Sequence, residues 1–235
     1  MPPCHVKPEF HLVADAASVA VSAAERILQV ATESIAGHGR FRLVLAGGGT
    51  PLAAYRLLAR ASADWSRWWI WFGDERCLPP GDAERNDLAG RNAWLDHVPI
   101  PPRQVHEIRA ELGAEAAAQA YTHSLEGARP FDLVLLGMGE DGHTASLFPG
   151  HADPPGAAVL AVHQAPKPPT DRVSLSSATL SDARRVLFLV TGSGKRDALA
   201  RWRAGEPLPV ARICARERLE VLLDRAAAGP GIGET

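Results

Sequence analysis

The chain is short of the features that mark specialised classes of protein. Its 235 residues include only three cysteines, Cys4, Cys77 and Cys214, which are far apart and have no metal-ligand spacing. Such residues read as structural or incidental thiols in a reducing compartment. No apolar run approaches the roughly 20 residues that span a bilayer. Met1-Pro2-Pro3-Cys4-His5-Val6-Lys7 lacks the apolar core of a signal peptide. A basic surplus is also missing: 25 Lys and Arg stand against 27 Asp and Glu, a formal net charge of −2. That balance argues against a general nucleic-acid binder. None of the nine histidines belongs to a His-x-x-x-His or comparable cluster, so no catalytic metal is expected. These absences predict a cytoplasmic protein that uses no metal or other cofactor, no membrane and no nucleic acid.

What is present suits a sizeable globular core, with 46% hydrophobic and 22% charged residues. Short apolar runs alternate with longer amphipathic ones, the pattern of an α/β protein. Asp15 suits the cap of a helix running to about Ile35. Strand-like runs follow at Phe41–Ala46, Trp68–Gly73, Asp132–Gly137, Ala158–His163, Arg172–Leu175 and Val186–Val190. Helical patterns cover about Leu52–Arg60, Asn86–Asp96, Ala114–Leu125, Lys195–Arg203 and Glu217–Ala227. Several strands are apolar at consecutive positions, which predicts an open, mainly parallel sheet with helices on both faces. Pro-rich turns occur at Pro99–Pro102 and Pro166–Pro169, no long linker divides the chain, and residues 229–235 read as a frayed tail. The expected organisation is one domain over residues 1–235.

Four loops at strand ends carry the chemistry. The first is Ala46-Gly47-Gly48-Gly49-Thr50-Pro51, between a strand and a helix, with Thr50 suited to the N-cap and Pro51 to the first turn. Free backbone N–H groups at a helix start can hold an anion, or the glycines can simply make a tight turn. The second is Gly73-Asp74-Glu75-Arg76-Cys77, beyond the carboxyl end of Trp68-Trp69-Ile70-Trp71-Phe72, where α/β sheets bind ligands. Arg76 is suited to a phosphate or a carbonyl, and Asp74 to a proton or a sugar hydroxyl. Four of the six Trp fall between positions 65 and 71 and read as strand packing rather than ligand stacking.

The third loop, Gly137-Met138-Gly139-Glu140-Asp141-Gly142-His143, fits the dinucleotide pattern Gly-x-Gly-x-x-Gly. Pro149 leaves room for two helical turns at most, and no acid ends the next strand, so a nicotinamide cofactor is not expected. His143, flanked by glycine and near Asp141, is placed for proton transfer. Either Asp141 or Asp74 could partner it. The fourth group is cationic: Arg172 opens a strand, and Lys195 ends Thr191-Gly192-Ser193-Gly194-Lys195. Both suit phosphate recognition.

Taken together, Gly47 to Lys195 resembles the 6-phosphogluconolactonase family, most specifically over Gly139–Pro149 and over Asp74–Pro79 with Asn86 following. That family shares its fold, a modified Rossmann arrangement, with glucosamine-6-phosphate isomerase/deaminases. The resemblance implies hydrolysis of 6-phospho-D-glucono-1,5-lactone to 6-phospho-D-gluconate, the second step of the oxidative pentose phosphate pathway. It implies His143 as general base and Asp141 as its orienting group, with Asp74 also in the catalytic set. It further implies Gly47, Gly48, Gly49, Thr50, Arg76, Gly142, Arg172 and Lys195 around the sugar phosphate. The family's usual first-loop serine is Gly49 here, and Ser176-Ser177-Ala178-Thr179 departs from its usual Thr-Leu-Pro-type segment. The related deaminases carry a Glu soon after Asp-Gly-His, whereas here Ser146-Leu147-Phe148-Pro149 has no carboxylate. A sugar-phosphate sensor fused to a helix-turn-helix reader would need more than the 46 residues before Gly47. The implied partner is a small phosphorylated sugar lactone, bound by a monomer or small homo-oligomer.

Overall fold

Consecutive apolar residues become strands buried on both faces, and the amphipathic runs become the helices that cover them. The computed structural model describes residues 6–229. From the amino end these form β1 (Glu9–Val13), α1 (Ala16–His38), β2 (Phe41–Leu45), α2 (Gly49–Leu58), β3 (Trp68–Phe72) and β4 (Asp74–Arg76). Then come α3 (Asn86–Ala93), β5 (Val105–His106), α4 (Ala114–Ser124), β6 (Phe131–Gly137), β7 (Val159–Val162) and β8 (Arg172–Leu175). The chain closes with α5 (Ser177–Ser181), β9 (Ala183–Val190), α6 (Arg196–Arg203), β10 (Arg218–Asp224) and α7 (Arg225–Ala228).

Seven strands make one parallel sheet in the order β1-β10-β9-β6-β2-β3-β5. The chain leaves β2 for β3 on one side, and leaves β6 for β9 on the other. The carboxyl ends of β2 and β6 therefore flank a topological switch point, where the loops that follow them diverge and leave a crevice. Two tyrosines hold that edge. The Tyr55 hydroxyl accepts from the Ala46 N–H (3.0 Å) and donates to the Ala46 carbonyl (2.9 Å). The Tyr121 hydroxyl treats Phe72 in the same way, at 2.8 and 3.1 Å. Burial pushes both hydroxyls well above the ordinary tyrosine range, so they stay protonated donors.

Trp68 packs edge-on against Phe41 with ring centroids 4.7 Å apart, and against Trp65 and Trp94. None of these rings lines the cavity at the switch point, in line with the packing expectation. Asp15 caps α1 as expected, accepting the Ser18 N–H at 2.8 Å.

Several expectations are corrected. The helix expected at Glu217–Ala227 is instead β10 followed by one turn, α7. Its Leu219-Glu220-Val221-Leu222-Leu223 run satisfies both the helical and the strand period, and the gap between β1 and β9 selects the strand. β1 itself, an edge strand with a half-polar sequence, has no counterpart among the expected strands. Thr50 is not an N-cap: Gly48 holds that position at φ +102°, and Thr50 lies inside α2. β7 and β8 do not join the main sheet. They pair with β4 in a small antiparallel sheet that brings a hairpin over the crevice. Cys77 is a free thiol, but Cys214 is disulfide-bonded, which removes the thiol argument for a reducing compartment. The expected frayed tail lies outside the described residues apart from Gly229.

The tip of the β7–β8 hairpin is tied to the amino end of α4 through His163. Its Nε2 lies 2.6 Å from Glu115 Oε1 and its Nδ1 2.9 Å from Asp171 Oδ1. The Asp171 bond first, and the Glu115 bond next, hold this imidazole above its ordinary value of 6.5. A raised folded-state pKa means that the tie stabilises fully below the ordinary value and fades as pH rises through the raised one. An NMR titration should therefore place the His163 midpoint above 6.5; a midpoint at or below that value would show that the tie is not made in solution.

Candidate active site

The crevice at the switch point is a cavity of about 250 Å³. Its floor is the glycine loop after β2, one wall is the loop after β6, and the other is the β4–β8 pair. Gly47 approaches Asn86 so closely that a Cβ there would overlap the Asn86 side-chain amide. The α2 amino end, Gly49 and Thr50, faces the cavity, where its first N–H groups have no partner within the helix. Thr50 Oγ1 meets Thr191 Oγ1 at 2.6 Å, joining this loop to the carboxyl end of β9.

The loop after β6 is built to hold one imidazole. Thr144 Oγ1 donates to the Gly137 carbonyl (2.8 Å), and the Gly139 N–H donates to the His143 carbonyl (2.8 Å). His143 Nδ1 lies 2.5 Å from Asp141 Oδ1, and its ring rests 4.9 Å from that of Phe148. Partial burial pushes the Asp141 carboxyl up. The backbone and ring hydrogen bonds from His143, with the ring's charge, outweigh this and hold the carboxyl below its usual range. A Cβ at Gly139 would overlap both the ring and the carboxylate. Gly142 adopts φ +83° with Leu208 against its α-carbon. Asp141 and Gly142 thus stand behind the cavity, while His143 faces it.

Asp74 does not partner His143. It is buried, and its carboxylate accepts from Ser146 Oγ (2.7 Å) and Asn86 Nδ2 (3.2 Å). Glu75, fully buried, accepts the N–H groups of Arg76, Asn86 and Asp87 at 2.8 Å each, and so pins the start of α3 beside the cavity. Burial pushes its carboxyl up to about 7 against the pull of these donors.

Arg76 and Arg172 lie directly opposite one another on β4 and β8, and both line the cavity. Like charges in that position repel unless an anion comes between them. Arg76 Nη1 donates to the Glu84 carbonyl, and its Nε is buried without a hydrogen-bond partner. Arg172 donates from Nε to the Pro169 carbonyl (3.0 Å) and from Nη2 to those of Lys167 (3.0 Å) and Pro168 (3.4 Å). Lys195 also lines the cavity, with no carboxylate partner among the described residues. Of the expected site residues, Gly47, Gly48, Gly49, Thr50, Asp74, Arg76, His143, Arg172 and Lys195 all meet in this one cavity. Sequence reasoning missed Lys167, whose Pro166–Pro169 setting read only as a turn. It also missed Ser146 and Thr191, which carry no local signal.

Residues 14–222 match the family model described as glucosamine-6-phosphate isomerases/6-phosphogluconolactonase. The chain belongs to this family. Among curated relatives, the 6-phosphogluconolactonase of Streptomyces coelicolor is 38% identical, with 94% of each chain covered. That of Mycobacterium tuberculosis is 37% identical over 91% of this chain and 94% of its own. Among solved structures, the 6-phosphogluconolactonase of Thermotoga maritima has a TM-score of 0.87 at 28% identity, covering 93% of this chain and all of that one. A monomeric glucosamine-6-phosphate deaminase, TM-score 0.82 at 21% identity over 94% and 98% of the two chains, shares the fold.

Gly139→Ala is expected to cut kcat by about a hundredfold, the scale of a 1 Å misplacement of a reacting group. Its thermal midpoint should stay near that of the wild type. Wild-type turnover in the folded variant would show that the His143–Asp141 geometry does not matter.

Proposed function

We infer that this cavity is where the chain hydrolyses 6-phospho-D-glucono-1,5-lactone to 6-phospho-D-gluconate, the second step of the oxidative pentose phosphate pathway. The observation that carries the assignment of roles is the His143–Asp141 pair, with its imidazole facing a cation-lined cavity. Asp141 accepts the Nδ1 proton, which fixes the tautomer and leaves Nε2 as the basic nitrogen. Nε2 takes a proton from water as the water oxygen attacks the lactone carbonyl. The imidazolium then returns that proton to the ring oxygen as the ester C–O bond breaks, leaving the open-chain acid.

The phosphate is assigned to the N–H groups of Gly48, Gly49 and Thr50, with Arg76 and Lys195 beside them. An anion there would satisfy the orphan helix-end donors and the unpartnered Arg76 Nε together. Asp74, already fixed by Ser146 and Asn86, is assigned to a sugar hydroxyl rather than to proton abstraction. Residues 1–235 act as one lactonase domain, a monomer or small homo-oligomer. No described helix is long and apolar enough to cross a membrane. A cytoplasmic setting is supported by the substrate itself, because a phosphorylated sugar does not cross a bilayer unaided.

Among the described residues, one group of His and carboxylates is close enough to share an ion: Glu9, His11 and Glu220. None of them lines the cavity, and Arg26 pairs with Glu220 at 2.9 Å while Arg218 lies 3.6 Å from Glu9. Dialysis against a chelator should therefore leave the rate unchanged; loss restored by a divalent ion would replace this mechanism.

His143→Ala should lower kcat 10²–10⁴-fold, the usual cost of losing a general base, once spontaneous lactone hydrolysis is subtracted. Near-full turnover in the folded variant would remove His143 from the role. Lys195→Ala should weaken 6-phosphogluconolactone binding by roughly tenfold to a hundredfold and barely touch unphosphorylated gluconolactone. Equal losses on both lactones would move Lys195 from the phosphate to the fold or the reacting centre.

A further inference from the structure

The segment between β7 and β8 carries a lysine that reaches the cavity from outside the main sheet. Lys167 lines the cavity, and it stands at the hairpin tip between Pro166 and Pro168. Three carbonyls of that tip, those of Lys167, Pro168 and Pro169, accept hydrogen bonds from Arg172. Arg172 is buried, and its ring-stacked position, 5.7 Å over Phe148, fixes it further. Most of its donors are thus committed to backbone rather than left for a ligand. Two flanking prolines and a buried arginine hold the tip in one shape.

The Lys167 ammonium has a weak partner. Its Nζ is 3.8 Å from Glu140 Oε2, and both side chains are about two-thirds exposed (68% and 63%). An ion pair so exposed contributes little and is readily exchanged. Glu140 also lies against the turn that ends in Lys195: a Cβ on Gly194 would be 3.1 Å from Glu140 Oε1. One exposed carboxylate therefore sits between the Lys167 tip and the Lys195 turn, at the side of the cavity assigned above to phosphate. A phosphate dianion carries twice the charge of that carboxylate and is a better match for two ammonium groups.

We propose that Lys167 is a specificity-determining residue that leaves Glu140 to bind the substrate phosphate, and that Arg172 acts through it as a positioning residue. The proposal rests on the phosphate site inferred above. It accounts for an arginine that lines the cavity yet spends its hydrogen bonds on a neighbouring loop. It also gives the hairpin a role: it strengthens the grip on phosphorylated lactones from the open side of the crevice.

The test is steady-state kinetics on 6-phosphogluconolactone and on gluconolactone. Lys167→Ala should raise KM for the phosphorylated lactone about tenfold, the low end for a charged contact because the site is open. Its kcat should move less than twofold, and its KM for gluconolactone likewise. Glu140→Gln should lower KM for the phosphorylated lactone, and should lose that effect when Lys167 is also Ala. Lys167→Ala with Arg172→Ala should be no worse in KM than the more impaired single variant. Lys167 is exposed, so its variant reports even if Arg172→Ala fails to fold. An unchanged KM in Lys167→Ala, or equal changes on both lactones, would overturn the proposal while leaving the phosphate site in place. A wild type that does not favour the phosphorylated lactone would overturn that site, and this proposal with it.

Discussion

Everything at the site depends on two adjacent parallel strands, β2 and β6, sending the chain in opposite directions. Adjacent strands whose connections ran the same way would leave their ends covered by crossing loops. Here the glycine loop after β2 and the histidine loop after β6 part from each other, and the crevice between them is lined by His143 and the cations Arg76, Arg172 and Lys195. The strand ends at this edge leave backbone groups without sheet partners. Tyr55 supplies them after β2, at Ala46, and Tyr121 at Phe72, the end of the neighbouring β3, each hydroxyl serving as donor and acceptor. Buried backbone groups without partners would cost on the order of 1–3 kcal/mol each, so these two rings help keep the crevice open.

The small sheet of β4, β8 and β7 builds the second wall and sets its charge. By pairing Arg76 with Arg172 it concentrates positive charge that the rest of the protein does not share, since the chain is slightly acidic overall. Buried carboxylates nearby are tied down by backbone and amide donors: Glu75 by three N–H groups, Asp74 by Asn86 and Ser146. They hold positions rather than cancel the cations. The imidazole stands apart from this cluster, on the other wall, with a carboxylate of its own. In the function proposed above, acid–base chemistry and anion recognition are thus assigned to different elements of one cavity.

Local chemistry announced much of this in the amino-acid order. Glycines between an apolar run and a helix, and a histidine two residues after an aspartate, are short-range signals, and both survive in the structure. So does the Asp15 cap, because a capping bond spans only three residues. The Asp141–His143 pair needs no more than a turn of backbone, with Gly139 leaving room for it. Strands buried on both faces, such as β6 and β9, were legible because each is apolar at consecutive positions.

Choices between equally good local options were made only by the assembled fold. The Leu219–Leu223 run suits a helix or a strand, and the open edge of β9 decided for the strand. Asp74 and Asp141 were equal candidates to partner His143; the tight turn after β6 brought one within hydrogen-bond reach, and Ser146, 72 residues further on, claimed the other. Arg172 reads alone as a ligand-binding cation, yet its guanidinium turns back on carbonyls three to five residues before it, and only the pairing of β4 with β8 sets it opposite Arg76. Local order is written in neighbours along the chain. Which polar group meets which across 30 or 70 residues depends on the space left after the core has packed, and that is a property of the whole fold.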